Sequence, residues 1–236
     1  AVSSYSKAVI FSEKPVIIGE RMNPTGKKLL KEALRNNDMD YIYREGVTQA
    51  DAGADVLDVN VGLPEIDEPT MMKNAVLGLQ SILNTPLQID TSDAVAMEKA
   101  LRIYNGKAMV NSVNGKEKVM EEVFPLVKKY GGVLVCLTLD ENGIPETVNG
   151  RIDIAKRIIK KAEEYEITKE NLVFDPLCMT VSTNKDNAKI TLECIEKLNN
   201  DLGVKTVLGV SNVSFGLPNR ELLNSAFFTL AMQRGL

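Results

Sequence analysis

Short apolar runs alternate with longer amphipathic stretches along the 236-residue chain. Each run is rich in aliphatic, often β-branched side chains and is bounded by polar residues or glycine, which is typical of strands buried on both faces. The seven runs are Val16–Gly19, Val56–Val59, Leu87–Ile89, Ala108–Val110, Val133–Leu137, Leu172–Phe174 and Thr206–Val210.

The stretches between the runs have the apolar spacing of amphipathic helices. Three helical stripes carry this spacing: Val119, Val123, Leu126, Val127 and Tyr130; Ala155, Ile158, Ile159 and Ala162; and Ala188, Leu192, Ile195 and Asn199. Thr91–Asp93 offers an N-cap, and Gly131, Gly132 and Gly203 lie where helix C-caps are expected. A strand followed by a helix, repeated along the chain, predicts parallel βα units.

The repeat and the length favour a (β/α)₈ barrel, which typically has about 250 residues. An open doubly wound sheet is the alternative, but GERMNPTGKK, which follows the first run, contains neither a GxGxxG nor a Walker sequence. After the helix expected over Arg220–Arg234 the sequence ends, so we expect a barrel truncated before its eighth strand. The resulting gap is expected to be open or filled by a segment such as Lys7–Phe11. Residues 1–14 are interpreted as a lead-in and residues 15–236 as the barrel domain.

Composition removes several kinds of chemistry. The 28 basic and 32 acidic residues leave a net charge of −4, which argues against a nucleic-acid partner. The chain has no histidine, which excludes imidazole catalysis and zinc sites that need a histidine ligand. Its three cysteines form no CxxC pair, so we expect inert thiols, no metal bound by the chain and a reducing, cytoplasmic setting. No apolar run is long enough to span a membrane, and no signal peptide opens the sequence.

Polar side chains follow every predicted strand. Asp and Asn are good turn formers, which explains any single position, but the whole set also indicates a site, because barrel enzymes carry their chemistry at the carboxyl ends of the strands. Carboxylates and amides without histidine suit a planar, nitrogen-rich heterocycle; a carboxylate Mg²⁺ site is an alternative that no sign of a phosphate substrate supports. The residues are Glu20, Asn23, Asp58, Asn60, Asp90, Asn111, Thr138, Asp140, Asp175, Ser211 and Asn212.

Six motifs in this order resemble one family. They are GERMNPTGKK, GADVLDVNVG, LQIDTSD, MVNSVNG, LVFDPL and GVSNVSFGLPNR, and they extend from about residue 15 to residue 235. The set resembles the pterin-binding methyltransferases that act between methyltetrahydrofolate and a corrinoid, above all the folate-binding domain of cobalamin-dependent methionine synthases. The resemblance implies a barrel of the dihydropteroate synthase type.

The resemblance also implies roles for particular residues. Asp90, Asn111 and Asp175 match pterin-binding positions, Asn212 matches the catalytic asparagine beside N5 of the folate, and Arg220 matches a residue near it. Other positions that line the same site are Glu20, Asn23, Asp58 and Asn60. The implied reaction transfers the N5 methyl group of 5-methyltetrahydrofolate to Co(I) of a corrinoid on another domain or protein, with a homocysteine-binding domain in the same polypeptide as a further partner.

Two alternatives stay open at this point. A dihydropteroate synthase would need a basic pyrophosphate site, and the NPTG sequence after the first run stands where that family has a longer motif. A non-catalytic folate-binding module would bind the folate and deliver it to a partner. Transfer of the methyl group to a reduced cobalamin distinguishes that module from an enzyme.

Overall fold

The computed structural model describes residues 1–12 and 14–236, which contain a small antiparallel sheet and a larger parallel one. The small sheet pairs β1 (Val2–Ser3) with β2 (Ala8–Val9). The larger sheet contains β3 (Ile18–Met22), β4 (Val56–Val59), β5 (Leu87–Asp90), β6 (Met109–Asn114), β7 (Val133–Leu137), β8 (Leu172–Asp175) and β9 (Lys205–Thr206).

Every strand of the larger sheet lies beside the next strand along the chain, in the order β3-β4-β5-β6-β7-β8-β9. A doubly wound sheet reverses its strand order at a switch point, so the consecutive order excludes that alternative. It is the order of a (β/α) barrel. The described residues supply seven strands of it, with β3 and β9 as the two ends of the order and no eighth strand among them.

A helix follows each strand of the larger sheet, as predicted, except that two helices follow β3 where one was expected. They are α1 (Lys28–Arg35), α2 (Met39–Asp51), α3 (Glu68–Ile82), α4 (Ala94–Ile103), α5 (Glu117–Tyr130), α6 (Val148–Glu164), α7 (Asn187–Asn200) and α8 (Arg220–Gln233). Asp93 caps α4 as predicted, because its carboxylate accepts from the N–H groups of Val95 and Ala96. Gly131 follows α5 with φ of 70°, the left-handed conformation that a C-cap glycine adopts.

Strand boundaries differ from the predictions at both ends of the sheet. β4 and β7 match to the residue, whereas β3 begins two residues late and includes Glu20 and Arg21, which were expected to follow it. At the other end the predicted strand Thr206–Val210 contracts to β9, and Val210–Ser214 form a 3₁₀ turn. Edge strands pair on one side only, so they tolerate polar residues and irregular ends that blur the apolar signal.

Three inner boundaries also move. β5 and β8 each run one residue further and end at their aspartates, and β6 continues through Asn114 rather than ending near Asn111. Asn111 therefore lies inside a strand, in register opposite Asp90. Successive side chains of a strand point to opposite faces of the sheet, so the direction of the Asn111 side chain is fixed by the strand and not by a loop.

The lead-in folds back on itself as the β1–β2 hairpin and does not enter the parallel sheet, so Lys7–Phe11 does not extend the barrel. Ser3 exchanges two backbone hydrogen bonds with Lys107, at 2.9 and 3.0 Å. The Tyr104 hydroxyl donates to the Ser3 carbonyl at 2.9 Å and accepts from the Leu87 N–H at 3.0 Å. These contacts attach the hairpin beside the starts of β5 and β6.

The chain divides into two compact units. The first contains Ala1–Ser112 and Pro125–Leu134, and the second contains Val113–Phe124 and Val135–Leu236. In the first unit β4 is buried on both faces, as its adjacent residues Val56 and Leu57, which point to opposite faces, are both fully buried. In the second unit Cys178, Val213 and Phe227 form a small core of their own.

Candidate functional site

In the first unit, side chains at the ends of β4 and β5 form two polar layers. Asp58 lies in register opposite Gln88 in the lower layer, and two residues further along these strands Asn60 and Asp90 form the upper layer. The two-residue period of a strand directs all four side chains to the same face of the sheet. The sequence therefore stacks carboxyl and amide groups one above the other.

The lower layer is closed to solvent. Asp58 is 1% exposed and accepts a hydrogen bond from the Gln88 amide. Burial raises the pKa of Asp58 well above its usual range, and the nearby charge of Asp90 raises it further, while the Gln88 hydrogen bond opposes the shift. Asp58 was predicted to line the site, but its side chain lies beneath Asp90 and is not open to a ligand.

The upper layer is partly exposed and is organised around Asp90. The Asn60 amide donates to Asp90 at 2.8 Å, and its own oxygen accepts from the Gly62 N–H at 3.0 Å. Burial raises the pKa of Asp90; the hydrogen bond from Asn60 and the neighbouring Asp58 carboxyl group oppose this, and the charges of Glu20 and Glu68 add to it. Asn111 stands in register beside Asp90, so three of the predicted residues meet here.

Glu20 and Asn23 belong to the strand and turn at the edge of the same unit. The Asn23 amide donates to the Glu20 carboxylate at 3.2 Å and its oxygen accepts from the Thr25 N–H at 3.0 Å, which holds the NPTG turn. Lys27 donates to the carbonyls of Glu20 and Arg21 at 2.8 and 3.0 Å. Burial lowers the pKa of Lys27, although Glu20 counteracts this.

A cavity of about 510 Å³ opens beside Asp90. Two carboxylates, Glu68 and Asp90, are the charged groups of its lining, and no lysine or arginine is among the lining residues. Glu68 accepts a short hydrogen bond from the Thr91 hydroxyl, which is therefore already engaged. The full lining is Pro24, Thr25, Asn60, Gly62, Leu63, Pro64, Glu68, Asp90, Thr91 and Ser92. Such a surface suits a neutral or donor-rich group and repels an anion.

In the second unit, Asp175 ends β8 and is held by a buried arginine. Arg151, on α6, is 2% exposed and donates to the carbonyls of Pro145, Pro176 and Leu177 at 2.9, 2.6 and 2.9 Å. Leu177 has φ of 62°, a left-handed conformation that a leucine rarely adopts. The Arg151 bonds hold this turn in place, and the Leu177 N–H then donates to Asp175 at 2.8 Å.

The charge of Asp175 reflects the same surroundings. Burial raises the pKa of Asp175 to about 6, while the Leu177 N–H and the Arg151 guanidinium lower it. Burial also lowers the pKa of Arg151, against the effect of Asp175 and two neighbouring thiols. At neutral pH Asp175 is a carboxylate with one oxygen bound to the backbone, and it can accept further hydrogen bonds.

Asn212 lies in the 3₁₀ turn Val210–Ser214, exposed and without a side-chain hydrogen bond to the described residues. Arg220 donates hydrogen bonds to residues on both sides of Asn212, to the Ser211 carbonyl at 2.9 Å and to the Ser214 hydroxyl at 3.1 Å. Ser214 is fully buried and also lies 2.7 Å from the Asn224 amide oxygen. Arg220 thus fixes the turn that carries Asn212, and the Asn212 amide stays available to a ligand.

Two supporting residues were not predicted, although the sequence contains a signal for each. Gln88 is a polar residue in the middle of an apolar strand, and Arg151 occupies the apolar stripe of α6, four residues before Ala155. A polar or charged residue at a position that the pattern marks as buried requires a partner in the interior. The sequence does not reveal that the partners are Asp58 and the turn after β8.

The remaining candidate groups are structural. Cys136, Cys178 and Cys194 are buried thiols that form no disulfide, as predicted, and burial raises the pKa of Cys178 to about 12 and of Cys194 to about 11. Within residues 1–12 and 14–236, no cluster of three Cys, Asp or Glu side chains is arranged to hold a metal ion. None of the helices described has the length and apolar character needed to cross a membrane.

The profile of the family described as pterin binding enzyme matches residues 19–236. The chain belongs to this family. Among curated relatives of the chain, a methylcorrinoid:tetrahydrofolate methyltransferase of Eubacterium limosum is 33% identical over 227 residues, which cover 94% of the chain and 82% of that protein. A methionine synthase of Mycobacterium leprae is 30% identical over 251 residues, covering all of the chain but only 21% of that enzyme.

Solved structures support the same fold. A dihydropteroate synthase of Xanthomonas albilineans has a TM-score of 0.74 at 20% identity, and one of Yersinia pestis a TM-score of 0.76 at 15%. Each match covers 100% of this chain and 90% of the other. At these identities the likeness concerns the fold alone. The family and fold class expected from the sequence are therefore confirmed, and so is the enzyme class, since the named relatives of the family are methyltransferases.

Proposed function

We propose that this chain binds 5-methyltetrahydrofolate and transfers its N5 methyl group to Co(I) of a corrinoid carried by another domain or protein. The observation that carries the proposal is the cavity beside Asp90, whose charged groups are carboxylates only. A pterin presents an amino-pyrimidinone edge rich in N–H donors, which carboxylates bind through charge-assisted hydrogen bonds. A pyrophosphate would meet repulsion there, which favours the methyltransferase over a dihydropteroate synthase.

In this proposal the pterin edge is held by Asp175, Asp90 and Asn111. Asp175 is preorganised for this task, because the Leu177 N–H fixes its orientation and leaves its acceptor capacity free. Asp90 is fixed in the same way by the Asn60 amide. Glu20 and Asn23 support the turn beside the cavity. Ligand contacts made by side chains that are already oriented cost little conformational entropy on binding.

Asn212 is the catalytic residue of the proposal. The bond between N5 and the methyl carbon would break with its electron pair left on N5, which would take up a proton from solvent. The Asn212 amide would donate a hydrogen bond to N5 as that pair develops. This lowers the energy of the transition state without a general acid, in agreement with a chain that contains no histidine. The corrinoid supplies the cobalt nucleophile that takes the methyl group.

The direction of transfer depends on the partners. A site that stabilises the transition state accelerates both directions, so it serves a methionine synthase and a methylcorrinoid:tetrahydrofolate methyltransferase alike. We propose a corrinoid-binding domain or protein as the immediate partner and a homocysteine-binding domain of the same polypeptide as the source of the final acceptor. Three buried thiols that form no disulfide support a cytoplasmic setting.

Calorimetry with 5-methyltetrahydrofolate and single-turnover transfer to cob(I)alamin test the proposal. We expect measurable binding and transfer by the parent chain. Asn212→Ala should lower the transfer rate by roughly 10²–10³, about 2.7–4 kcal/mol, with little loss of affinity. Asn200→Ala, at the exposed end of α7, is the matched control.

The outcomes separate the candidate functions. Folate binding without transfer to cob(I)alamin would identify a non-catalytic binding module. Binding of a pterin pyrophosphate together with p-aminobenzoate, in preference to the folate, would identify a synthase. A transfer rate of Asn212→Ala within about threefold of the parent would remove Asn212 from the mechanism.

A further inference from the structure

Asp58 is a buried acid that lacks the partners a carboxylate needs. It is 1% exposed, and although Gln88 donates to Oδ1, its Oδ2 is buried with no hydrogen-bond partner among the described residues. Gln88 Oε1 is likewise buried and unpartnered, so the lower layer contains acceptors in excess of donors. An ionised carboxylate in such a place is costly unless a cation or several donors compensate it.

The groups that face Asp58 do not supply that compensation. Asp90 on β5 and Glu20 on β3 add negative charge and raise the pKa of Asp58, whereas the Gln88 and Asn111 amides lower it but carry no positive charge to balance the carboxylate. The charge of Lys27 reaches Asp58 from the turn after β3, but its ammonium group donates to the carbonyls of Glu20 and Arg21. One proton would turn the unpartnered oxygen into a donor and remove the uncompensated charge.

We propose that Asp58 is a neutral acid in the folded chain and donates its proton to Asp90, as a positioning residue that keeps Asp90 ionised and aimed at the ligand. The proposal rests on the proposed function only in assigning a ligand to Asp90. Asp90 then receives two donors, Asp58 from below and Asn60 from the side. A carboxylate held in this way accepts N–H groups and rejects anions, which narrows the ligand at Asp90 to a neutral or cationic donor.

Asp58→Asn is the informative variant. An asparagine has the shape of the protonated acid: its amide N–H₂ can donate to Asp90 while its oxygen accepts from Gln88. In the parent, folding holds a proton on Asp58 that the unfolded chain has released above about pH 4. The parent is therefore most stable at acid pH with respect to this group, and that stability is lost as pH rises through the pKa of Asp58 in the folded state.

Urea unfolding of the parent, Asp58→Asn and Asp51→Asn across pH tests this. Asp51 lies at the exposed end of α2 and is the matched control. Relative to the parent, the unfolding constant of Asp58→Asn should fall about tenfold per pH unit above about pH 4 and level off once Asp58 ionises. Asp51→Asn should show no such trend. A ratio of Asp58→Asn to parent that does not change with pH overturns the proposal.

Infrared spectra of the folded proteins, compared as the difference between the parent and each variant, provide a second measurement that does not depend on unfolding. The parent at neutral pH should show the carbonyl stretch of a protonated carboxyl group, and that band should be missing from Asp58→Asn and present in Asp51→Asn. Absence of the band from the parent overturns the proposal. Neither measurement uses a ligand. If a folded parent failed to bind folate, that result would contradict the proposed function but not the proposed protonation of Asp58.

Discussion

Asp58 and Asp175 are two acids whose pKa values burial raises, and the two units stabilise them differently. In the first unit Asp58 faces other acids and amides, and a proton removes its charge. In the second unit Asp175 stays ionised at neutral pH beside the Arg151 guanidinium, which also holds the turn. Protonation neutralises a buried acid without needing room for another side chain, but it makes the charge of that acid depend on pH. A guanidinium group makes the surrounding structure more rigid, and it needs buried hydrogen-bond acceptors of its own.

The sharpest way to break this comparison is to remove the guanidinium. Arg151→Met should destabilise the chain by at least about 3 kcal/mol, because three buried or partly buried carbonyls lose their donor at about 1 kcal/mol or more each and Leu177 loses its support. Urea unfolding measures the effect. Arg157→Met, on the same helix but paired with Glu141 at the surface, should change stability by about 1 kcal/mol or less.

Equal effects of the two arginine variants would contradict the assignment of Arg151. If Arg151→Met does not fold, Arg151→Lys keeps the charge but cannot reach three carbonyls with the geometry of the guanidinium. This milder variant should still unfold at lower urea than Arg157→Lys. The order of the two lysine variants then decides the question.

Asp175→Asn removes the charge and keeps the shape. Its oxygen can still accept from the Leu177 N–H, but the second group becomes a donor that meets the donors of the pterin edge. Loss of a charge-assisted hydrogen bond is worth about 1.5–3 kcal/mol, so affinity for 5-methyltetrahydrofolate should fall by about 10–100-fold in calorimetry. Asp153→Asn, exposed on α6, is the control. An unchanged affinity would place the pterin edge elsewhere.

The pH dependence of binding distinguishes the two acids. Because the pKa of Asp175 is about 6, its carboxylate is lost below that pH, and the affinity of the parent should fall by about tenfold per pH unit there. Asp175→Asn should lose this slope, since it has no proton to gain. Titration calorimetry over a range of pH gives both profiles, and the same slope in Asp175→Asn would assign it to another group.

A smaller effect is expected for the exposed arginine of the second unit. Arg220→Met removes the two bonds on either side of Asn212, so the 3₁₀ turn becomes less fixed and the transfer rate should fall by about five- to tenfold, near 1 kcal/mol. Stability should change by about 1 kcal/mol or less, because Arg220 itself is exposed and Ser214 keeps its hydrogen bond to Asn224. A larger loss of stability than of rate would make Arg220 structural instead.

The strands that the apolar pattern predicted best are those buried on both faces. Val56–Val59 and Val133–Leu137 match to the residue because every position in them except Leu137 is buried. The edges were predicted poorly, because Glu20 and Arg21 belong to a strand with a free side and the 3₁₀ turn at Asn212 leaves no periodic signal. The apolar pattern of a sequence indicates which residues are buried, and it predicts strand boundaries least well at the edges of the sheet, where burial is incomplete.

The candidate site was predictable as a set of strand ends but not as a set of contacts. Strand register brings Asp90 beside Asn111, which period-two reasoning anticipates once neighbouring strands are known. The Arg151 contacts could not be inferred in this way, since Pro176 lies 25 residues away and the turn conformation at Leu177 has no glycine to announce it. Those facts depend on tertiary packing, which no local pattern records.

The three buried thiols allow local unfolding of the second unit to be measured by thiol labelling. Cys136, Cys178 and Cys194 all lie within residues 135–236, and none is more than 5% exposed. A thiol reagent can react only after packing around a cysteine has opened, because the reagent needs access to a thiolate. The labelling rate in native buffer therefore reports on local unfolding of this unit. A ligand that binds Asp175 and stabilises the folded state should lower that rate.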